Sequence, residues 1–190
     1  MLPNFRFIKK LSWDFFSSVK VSYFFKTIFT LERPNFAREY LKSVKLEDYR
    51  GLIVISGDGL VYEVINGLMD RPDLEKAIKT PIAQISGGSA DALACNAAYL
   101  AKECYLNISL ESFASQTAFN LTKSIPYPLD LVVFQLQNNS FVNSFLSFEW
   151  AIIADVDLDS EKYRFLGGLR FTVGALKKIL SKYDFFINFI

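Results

Sequence analysis

The chain has 190 residues, 51% of them apolar, and its 21 lysines and arginines nearly balance its 20 aspartates and glutamates. This length suits one α/β domain, or one domain with part of another, and the apolar content is enough for a core. A net charge of +1 gives no overall positive field, so nucleic acid is not an expected partner. With no histidine and two cysteines, Cys/His zinc sites, serine–histidine–aspartate triads and a disulfide framework are excluded.

Few cysteines favour a reduced, cytoplasmic setting. Charges at Arg6, Lys9, Lys10 and Asp14 interrupt the N-terminal apolar stretch, so neither a signal peptide nor a membrane span is expected. Phenylalanines cluster near both ends of the chain. Core and strand aromatics are the favoured interpretation, and a surface in peripheral contact with membranes is the alternative.

The predicted elements alternate between strands and helices. Residues 19–29 read as a strand, and residues 35–44 as a helix with Asn35 as its N-cap. Apolar runs and helical spacing then predict, in order, strand 51–56, helix 60–69, helix 74–79, strand 81–85, helix 92–105 and helix 109–121.

Each of the two apolar strands at 51–56 and 81–85 is followed by a glycine turn and a helix. The first turn holds Gly57, Asp58 and Gly59, and the second holds Gly87 and Gly88. Because parallel strands joined by helical crossovers end at the same edge of the sheet, both turns are expected in one crevice. Backbone N–H groups at such turns bind phosphate, so the pattern predicts phosphate chemistry.

Asp58 is the first candidate for catalysis. An Asp-Gly pair between apolar runs is typical of a hairpin turn, but apolar residues at helical spacing after it favour a helix start. A carboxylate there can accept the proton of an attacking hydroxyl or help to place Mg²⁺. Glu63 either reaches the same crevice or favours the helix N-terminus, and Gly88 and Ser89 are expected to cradle phosphate.

A different pattern begins near residue 125. Residues 129–136, 144–154 and 170–173 alternate as strands do, and residues 137–140 read as a hairpin turn. The sequence therefore predicts an α/β domain over 1–124 and a partial β-rich domain over 125–190. These few strands cannot close a sandwich, so a truncated chain, a split gene product or an incomplete gene model is expected.

An acidic stretch from Asp155 to Arg164, followed by Arg170, forms the third candidate group. One interpretation is a solvated acidic loop. The other is a site where a carboxylate pairs with a substrate ammonium or hydroxyl while the arginines contact phosphate oxygens. A calcium loop is not favoured, since the glycine and the distal glutamate of that motif are missing.

These motifs resemble those of the diacylglycerol-kinase-type lipid kinases. The resemblance rests on Ser56-Gly57-Asp58-Gly59 with Glu63-Val64-Ile65-Asn66-Gly67-Leu68-Met69, and it covers about residues 30–176. The segment Ala154-Asp155-Val156-Asp157, continued by Ser160-Glu161-Lys162-Tyr163-Arg164 and Arg170-Phe171-Thr172, is similar to the sphingosine kinases within that group.

The resemblance implies a fold in which an α/β domain with a glycine-loop crevice, also similar to NAD kinases, is followed by a β-sandwich domain. It implies that ATP binds between the domains and that Asp58 activates the hydroxyl of a sphingoid-base lipid. The implied substrate-binding residues are Ser56, Gly57, Gly59 and Asp157. The implied nucleotide-binding residues are Glu32, Arg33, Asn35, Glu63, Gly88, Ser89, Ala90, Arg164 and Arg170.

Two departures from the family pattern bear on nucleotide binding. Residues 1–29 lack the family's opening phosphate loop, and Ala90-Asp91 replaces the Gly-Asn of its second loop. Asp91 is therefore expected to set a negative charge against phosphate, which predicts weaker ATP binding. Two alternatives stay open: an inactive relative that binds lipid or a partner, and a diacylglycerol or ceramide kinase. No metal ligands are assigned, and the oligomeric state is not predicted.

Overall fold

The computed structural model describes residues 31, 33–147, 149, 152–166 and 169–180, without the side chains of residues 164 and 165. It contains two compact units, one up to Phe145 and the other from Leu146 onward. Several sequence predictions fall outside the described residues. They are the strand 19–29, the lack of a phosphate loop in residues 1–29, the nucleotide contact of Glu32, and the role of the last phenylalanines. Within the described ranges, no helix has the length and apolar character needed to cross a membrane.

The first unit is built on a strand, helix and strand. Strand β1, Leu52–Ile55, pairs in parallel with β2, Ile82–Ile85, with Leu52 opposite Ile82 and Ile55 opposite Ile85. The other elements up to residue 121 are helices: α1 Phe36–Leu41, a 3₁₀ turn Leu46–Asp48, α2 Asp58–Met69, α3 Leu74–Ala77, α4 Ala92–Leu100 and α5 Leu110–Leu121. The predicted α/β class and parallel pairing are confirmed.

The core of this unit lies between α1, α2 and the sheet. Its buried side chains are Ala37, Leu41, Val54, Val61, Val64 and Ile65. Helix α1 approaches α2 at Gly67, where an added Cβ would lie only 2.9 Å from Arg38 Cα. This close approach requires glycine and fixes the helix that begins at Asp58 against its neighbour.

Helix α4 is shorter than the predicted 92–105. Lys102 adopts a left-handed φ of 58°, its N–H donates to Tyr99 O at 3.0 Å, and Glu103 N–H donates to Ala98 O at 2.9 Å. These two bonds form the Schellman arrangement that ends helices. The alanine-rich pattern continues past residue 100, but the backbone turns back there. The carbonyls of Ala98 and Tyr99 accept the hydrogen bonds of this turn, and the helix ends.

A β-hairpin completes the first unit. Strand β3, Val132–Gln135, pairs antiparallel with β4, Phe141–Ser144, and the predicted turn 137–140 joins them. The buried Asn66 of α2 ties the hairpin to the helix: its Oδ1 accepts from Asn143 N at 2.9 Å and its Nδ2 donates to Asn143 O at 2.9 Å. The hairpin is thus hydrogen-bonded to α2 two turns after Asp58.

From residue 152 onward, the described part of the second unit is helical. Helix α6 spans Ile152–Ser160, a 3₁₀ segment spans Glu161–Leu166, and α7 spans Leu169–Leu180. At the described residues after Ser144, the strand predictions for 144–154 and 170–173 are therefore wrong. The buried residues Val156 and Ser160 in α6, and Arg170 and Gly174 in α7, are spaced four apart, which gives each helix one inward face. The domain boundary at 124/125 and the β-sandwich remain predictions.

Candidate active site

The first glycine loop connects β1 directly to α2. Gly57 occupies the N-cap position with extended backbone, and Asp58 is the first residue of the helix. The half-buried Asp58 accepts hydrogen bonds only on Oδ1 within the described part of the chain, from Ala92 N at 2.8 Å and Gln84 Nε2 at 3.4 Å. Its second carboxylate oxygen, Oδ2, is therefore left for another partner.

The two glycine loops touch each other. A Cβ added to Gly88 would lie 2.4 Å from Gly57 Cα, and one added to Gly57 would lie 3.0 Å from Gly88 Cα. Both positions need glycine for this approach. Gly59 differs, because a Cβ there would meet nothing within 4 Å. Open space therefore borders the helix start next to Asp58.

Asp91 faces into the second loop rather than outward, and the weaker ATP binding that its charge predicts stays a prediction. It is 3% exposed and has a left-handed φ of 51°. Its Oδ2 accepts from Ser86 Oγ at 2.6 Å and Gly87 N at 3.2 Å, and its Oδ1 accepts from Gly88 N at 2.8 Å. The Asp91 carboxylate therefore joins the two ends of the second loop through hydrogen bonds within it.

This arrangement changes the role expected for Gly88. Two successive backbone N–H groups form the kind of concavity that binds anions, and here Asp91 occupies it. The Gly88 N–H predicted to hold phosphate is thus used inside the loop. Ser89 and Ala90 at the loop tip are exposed, so Ser89 remains the candidate phosphate contact of this loop.

Burial raises the pKa of Asp91 above its usual value, and the neighbouring charge of Asp58 raises it further. The hydrogen bonds from Ser86, Gly87 and Gly88 lower the pKa and offset part of this effect. On balance, the ionised form of Asp91 is less favourable than that of an exposed carboxylate, because its hydrogen bonds offset only part of the cost of burial.

Gln84 is a site residue that the sequence reasoning missed. It is 5% exposed in β2, and its Nε2 donates to Ser56 O at 2.9 Å and contacts Asp91 Oδ1 at 3.3 Å. Its Oε1 accepts from Ala94 N at 3.0 Å. A lone amide inside an apolar strand was the available signal, since a buried polar side chain requires partners.

Glu63 lies in the second turn of α2 and is half-buried. Its Oε2 is buried and accepts no hydrogen bond from the residues that the structure describes. Burying a polar atom without a partner is unfavourable. The nucleotide contact of Glu63 therefore stays a prediction, and its Oε2 is a buried acceptor without a described partner.

Arg33 and Asn35 precede α1, and both are exposed. Arg33 Nη1 donates to Glu39 Oε1 at 3.0 Å. Asn35 occupies the N-cap position of α1 as predicted, with a φ of 62°, although its side chain makes no capping hydrogen bond. Among the described hydrogen bonds, none joins these two residues to the glycine loops, so their nucleotide contacts remain a prediction.

In the second unit, Asp157 and Arg170 are paired with each other. Arg170 Nη2 donates to Asp157 Oδ1 at 2.9 Å, and Nη1 donates to Glu161 Oε1 at 2.7 Å. The Arg170 side chain is 7% exposed and that of Asp157 is 44% exposed. Asp157 lies on a helix rather than in the acidic loop that was one interpretation, and the side chain of Arg164 lies outside the described residues.

Comparison with known proteins gives consistent matches. The diacylglycerol kinase catalytic domain family matches residues 10–118. "Sphingosine kinase 1" of Homo sapiens is 40% identical over 155 residues, which cover 82% of this chain and 40% of the relative. "Sphingosine kinase 2" of Homo sapiens is 40% identical over 152 residues, covering 76% of this chain and 22% of the relative.

A more distant match is "Sphingoid long chain base kinase 4" of Schizosaccharomyces pombe, which is 34% identical over 152 residues. That alignment covers 80% of this chain and 31% of the relative. The chain therefore spans well under half the length of the curated relatives it matches.

Proposed function

Because this chain belongs to the diacylglycerol kinase catalytic domain family, we propose that it takes part in transferring the γ-phosphate of ATP to the primary hydroxyl of a sphingoid base. The similarity to curated sphingosine kinases supports the substrate class. The observation that carries the reaction is the Asp58 carboxylate, which is held through one oxygen at the contact of two glycine loops.

In this proposal Asp58 is the general base. As the lipid hydroxyl oxygen forms its bond to the γ-phosphorus, Asp58 Oδ2 accepts the hydroxyl proton, and the bond from phosphorus to the β-phosphate oxygen breaks to release ADP. The hydrogen bonds to Oδ1 support this role, because they fix the carboxylate while leaving Oδ2 without a described partner. Ser56, Gly57 and Gly59 form the loop along which the hydroxyl approaches.

The nucleotide is proposed to lie along the open side of the same loops. The absence of any atom within 4 Å of a Gly59 Cβ supports close approach of a ligand to the start of α2, where the helix dipole favours negative charge. Exposed Ser89 and Ala90 supply the second loop's contacts, and the buried, unpaired Glu63 Oε2 would accept from a nucleotide hydroxyl.

Mg²⁺ fits this site only as an ion shared with ATP. Among the described residues, no group of three histidine, cysteine, aspartate or glutamate side chains could hold a metal alone. Mg²⁺ usually keeps several waters and binds one or two carboxylates together with substrate phosphates. The ion would bind chiefly through the ATP phosphates and water, because Asp58 Oδ2 is the proposed acceptor of the hydroxyl proton, and it would neutralise charge that develops on the phosphates.

The charged residues of the second unit support the binding of a cationic lipid head group. Asp157, Glu161 and Arg170 together carry one net negative charge, and the described hydrogen bonds to the Asp157 carboxylate use only Oδ1. Asp157 Oδ2 would pair with the ammonium of a sphingoid base, whereas a neutral diacylglycerol would gain nothing from it. Arg170 would then position Asp157, and its proposed nucleotide contact would require this ion pair to open.

Contact with a membrane surface and a cytoplasmic location are part of the same proposal. A soluble kinase that acts on a lipid must reach it at a bilayer or remove it from one. Exposed apolar side chains of α7 support peripheral contact: Phe171, Val173, Leu176, Ile179 and Leu180.

The test is transfer of labelled phosphate from ATP to sphingosine, diacylglycerol and ceramide by the purified chain with Mg²⁺. We expect transfer to sphingosine, lowered about 100-fold or more by Asp58→Asn. Asp130→Asn is the matched control, because Asp130 is an exposed carboxylate of the same unit. No transfer by the folded chain, or equal rates for both variants, would refute the proposal.

Substrate class is tested with Asp157→Asn against Glu161→Gln. Each variant removes one carboxylate partner of Arg170, so a purely structural effect would be similar for the two. We expect Asp157→Asn alone to raise KM for sphingosine while leaving KM for ATP unchanged. Equal changes in both variants would remove Asp157 from the head-group site.

A further inference from the structure

We propose that Gln84 is a positioning residue that sets the orientation of the Asp58 carboxylate. The inference deepens the proposed kinase function and rests on it for the role of Asp58. Gln84 is buried, with 5% exposure, so it would act through Asp58 rather than on a substrate.

The orientation of the Gln84 amide is dictated by its neighbours. Ala94 N–H is a donor only, so the side-chain atom that faces it at 3.0 Å must be the carbonyl oxygen Oε1. The NH₂ group then faces only oxygens: Ser56 O at 2.9 Å, Asp91 Oδ1 at 3.3 Å and Asp58 Oδ1 at 3.4 Å. The reverse orientation would oppose like partners at both ends.

One buried amide therefore links four parts of the site. It contacts the end of β1 at Ser56, the start of α2 at Asp58, the second loop at Asp91 and the first turn of α4 at Ala94. Its NH₂ group contacts one carboxylate oxygen from each loop, Asp58 Oδ1 and Asp91 Oδ1. This donor lowers the repulsion between them and holds both loops together.

The donors around Asp58 determine which of its two carboxylate oxygens faces a substrate. Gln84 Nε2 and Ala92 N both donate to Oδ1, so the carboxylate is held from one side. Oδ2 is then the oxygen available to a substrate hydroxyl. Since displacement of a reacting group by about 1 Å can cost about 100-fold in rate, loss of this support should lower kcat.

The test compares Gln84→Met with Gln116→Met. Methionine keeps the length of the side chain and removes the amide. Gln116 is the matched control, because its Nε2 donates to Cys104 O and Glu103 Oε2, each at 2.9 Å, in the same unit but away from Asp58. For Gln84→Met we expect kcat for sphingosine phosphorylation about 10- to 100-fold lower, with KM for ATP within about twofold of the unsubstituted chain. For Gln116→Met we expect both constants unchanged.

A second readout does not require activity. The Ala92 N–H is bonded to Asp58 Oδ1 at 2.8 Å, so its hydrogen exchange, followed by NMR, reports whether that carboxylate stays in place. We expect faster Ala92 exchange in Gln84→Met than in Gln116→Met. If the folded, unsubstituted chain transfers no phosphate, the kinase proposal fails, and the exchange rates still decide whether Gln84 holds Asp58.

Gln84→Glu provides the test if the methionine variant does not fold. Glutamate keeps an acceptor for Ala94 N–H but sets a second oxygen against the oxygens of Ser56, Asp58 and Asp91. We expect a fall in kcat at least as large as that for Gln84→Met. Unchanged kcat in a folded Gln84 variant, or Ala92 exchange equal to that of the Gln116 control, would overturn the role of Gln84.

Discussion

Gly88→Ala and Gly59→Ala form a matched pair that tests whether the contact between the loops supports the fold. Gly88 lies on the second loop and Gly59 is the second residue of α2, and their surroundings differ. A Cβ at residue 88 would meet Gly57 Cα at 2.4 Å and Asp91 Oδ1 at 2.9 Å, whereas a Cβ at residue 59 would meet nothing within 4 Å.

The expected costs follow from these distances. Carbon atoms pack best at about 3.5–4.0 Å, so the Gly88→Ala methyl group requires the loops to separate by about 1 Å or more. Such overpacking costs about 1–3 kcal/mol, and loss of the Gly88 N–H bond to Asp91 adds about 1–3 kcal/mol. We expect the free energy of unfolding to fall by about 3 kcal/mol. Gly59→Ala should instead raise it by about 0.5 kcal/mol, because alanine is the better helix former.

Urea unfolding followed by circular dichroism measures both changes, and the phosphate-transfer assay adds the functional comparison. If the open space beside Gly59 admits the substrate, Gly59→Ala should lower transfer although the protein is more stable. Equal stability of the two variants would refute the argument that the loops are in contact. A fully active Gly59→Ala variant would remove Gly59 from the substrate path.

Three further predictions concern buried polar groups. Asn66→Leu should lower the free energy of unfolding by about 3 kcal/mol, because the N–H and C=O of Asn143 lose their partners; a loss below about 1 kcal/mol in urea unfolding would contradict this reasoning. Arg71→Met should lower the free energy of unfolding by about 2 kcal/mol, since Arg71 Nη1 donates to the carbonyls of Leu41, the last residue of α1, and of Val44. Unchanged thermal unfolding would show that these carbonyls find other donors. Because the pKa of Asp91 is raised in the folded state, the native protein binds this proton more tightly than the unfolded chain does. Stability therefore decreases as pH rises from the usual pKa of an aspartate, 3.8, through the pKa in the folded state. Asp91→Asn should remove this pH dependence. If the difference in stability between the two proteins stays constant over that pH range, the assignment is refuted.

The local sequence pattern was sufficient for the elements of the first unit. Apolar runs followed by Gly57 and Gly88 predicted two strands, two turns and two helices, and the parallel pairing of β1 with β2 followed from the crossover between them. These features depend on short-range periodicity and on the handedness of crossovers, which a single sequence reveals. The hairpin turn at 137–140 was predictable for the same reason.

The same reasoning failed in the second unit, where packing outweighs pattern. Residues 170–173 alternate in character, but the structure includes them in α7, with Arg170 and Gly174 buried four residues apart. Arg170 is an unusual inward residue, and it is accommodated because Asp157 and Glu161 pair with its guanidinium. A sequence pattern that counts arginine as polar assigns the wrong face.

By itself, the sequence determined the family, the α/β class and the position of Asp58 at the start of a helix. The tertiary structure alone decided where the polar side chains of the loops point. Asp91 folds inward onto the amides of Gly87 and Gly88, and Gln84 links it to Asp58. These directions depend on hydrogen bonds between β1, β2 and α4, which become neighbours only when the chain folds, because a buried polar group must find its partners wherever the fold provides them.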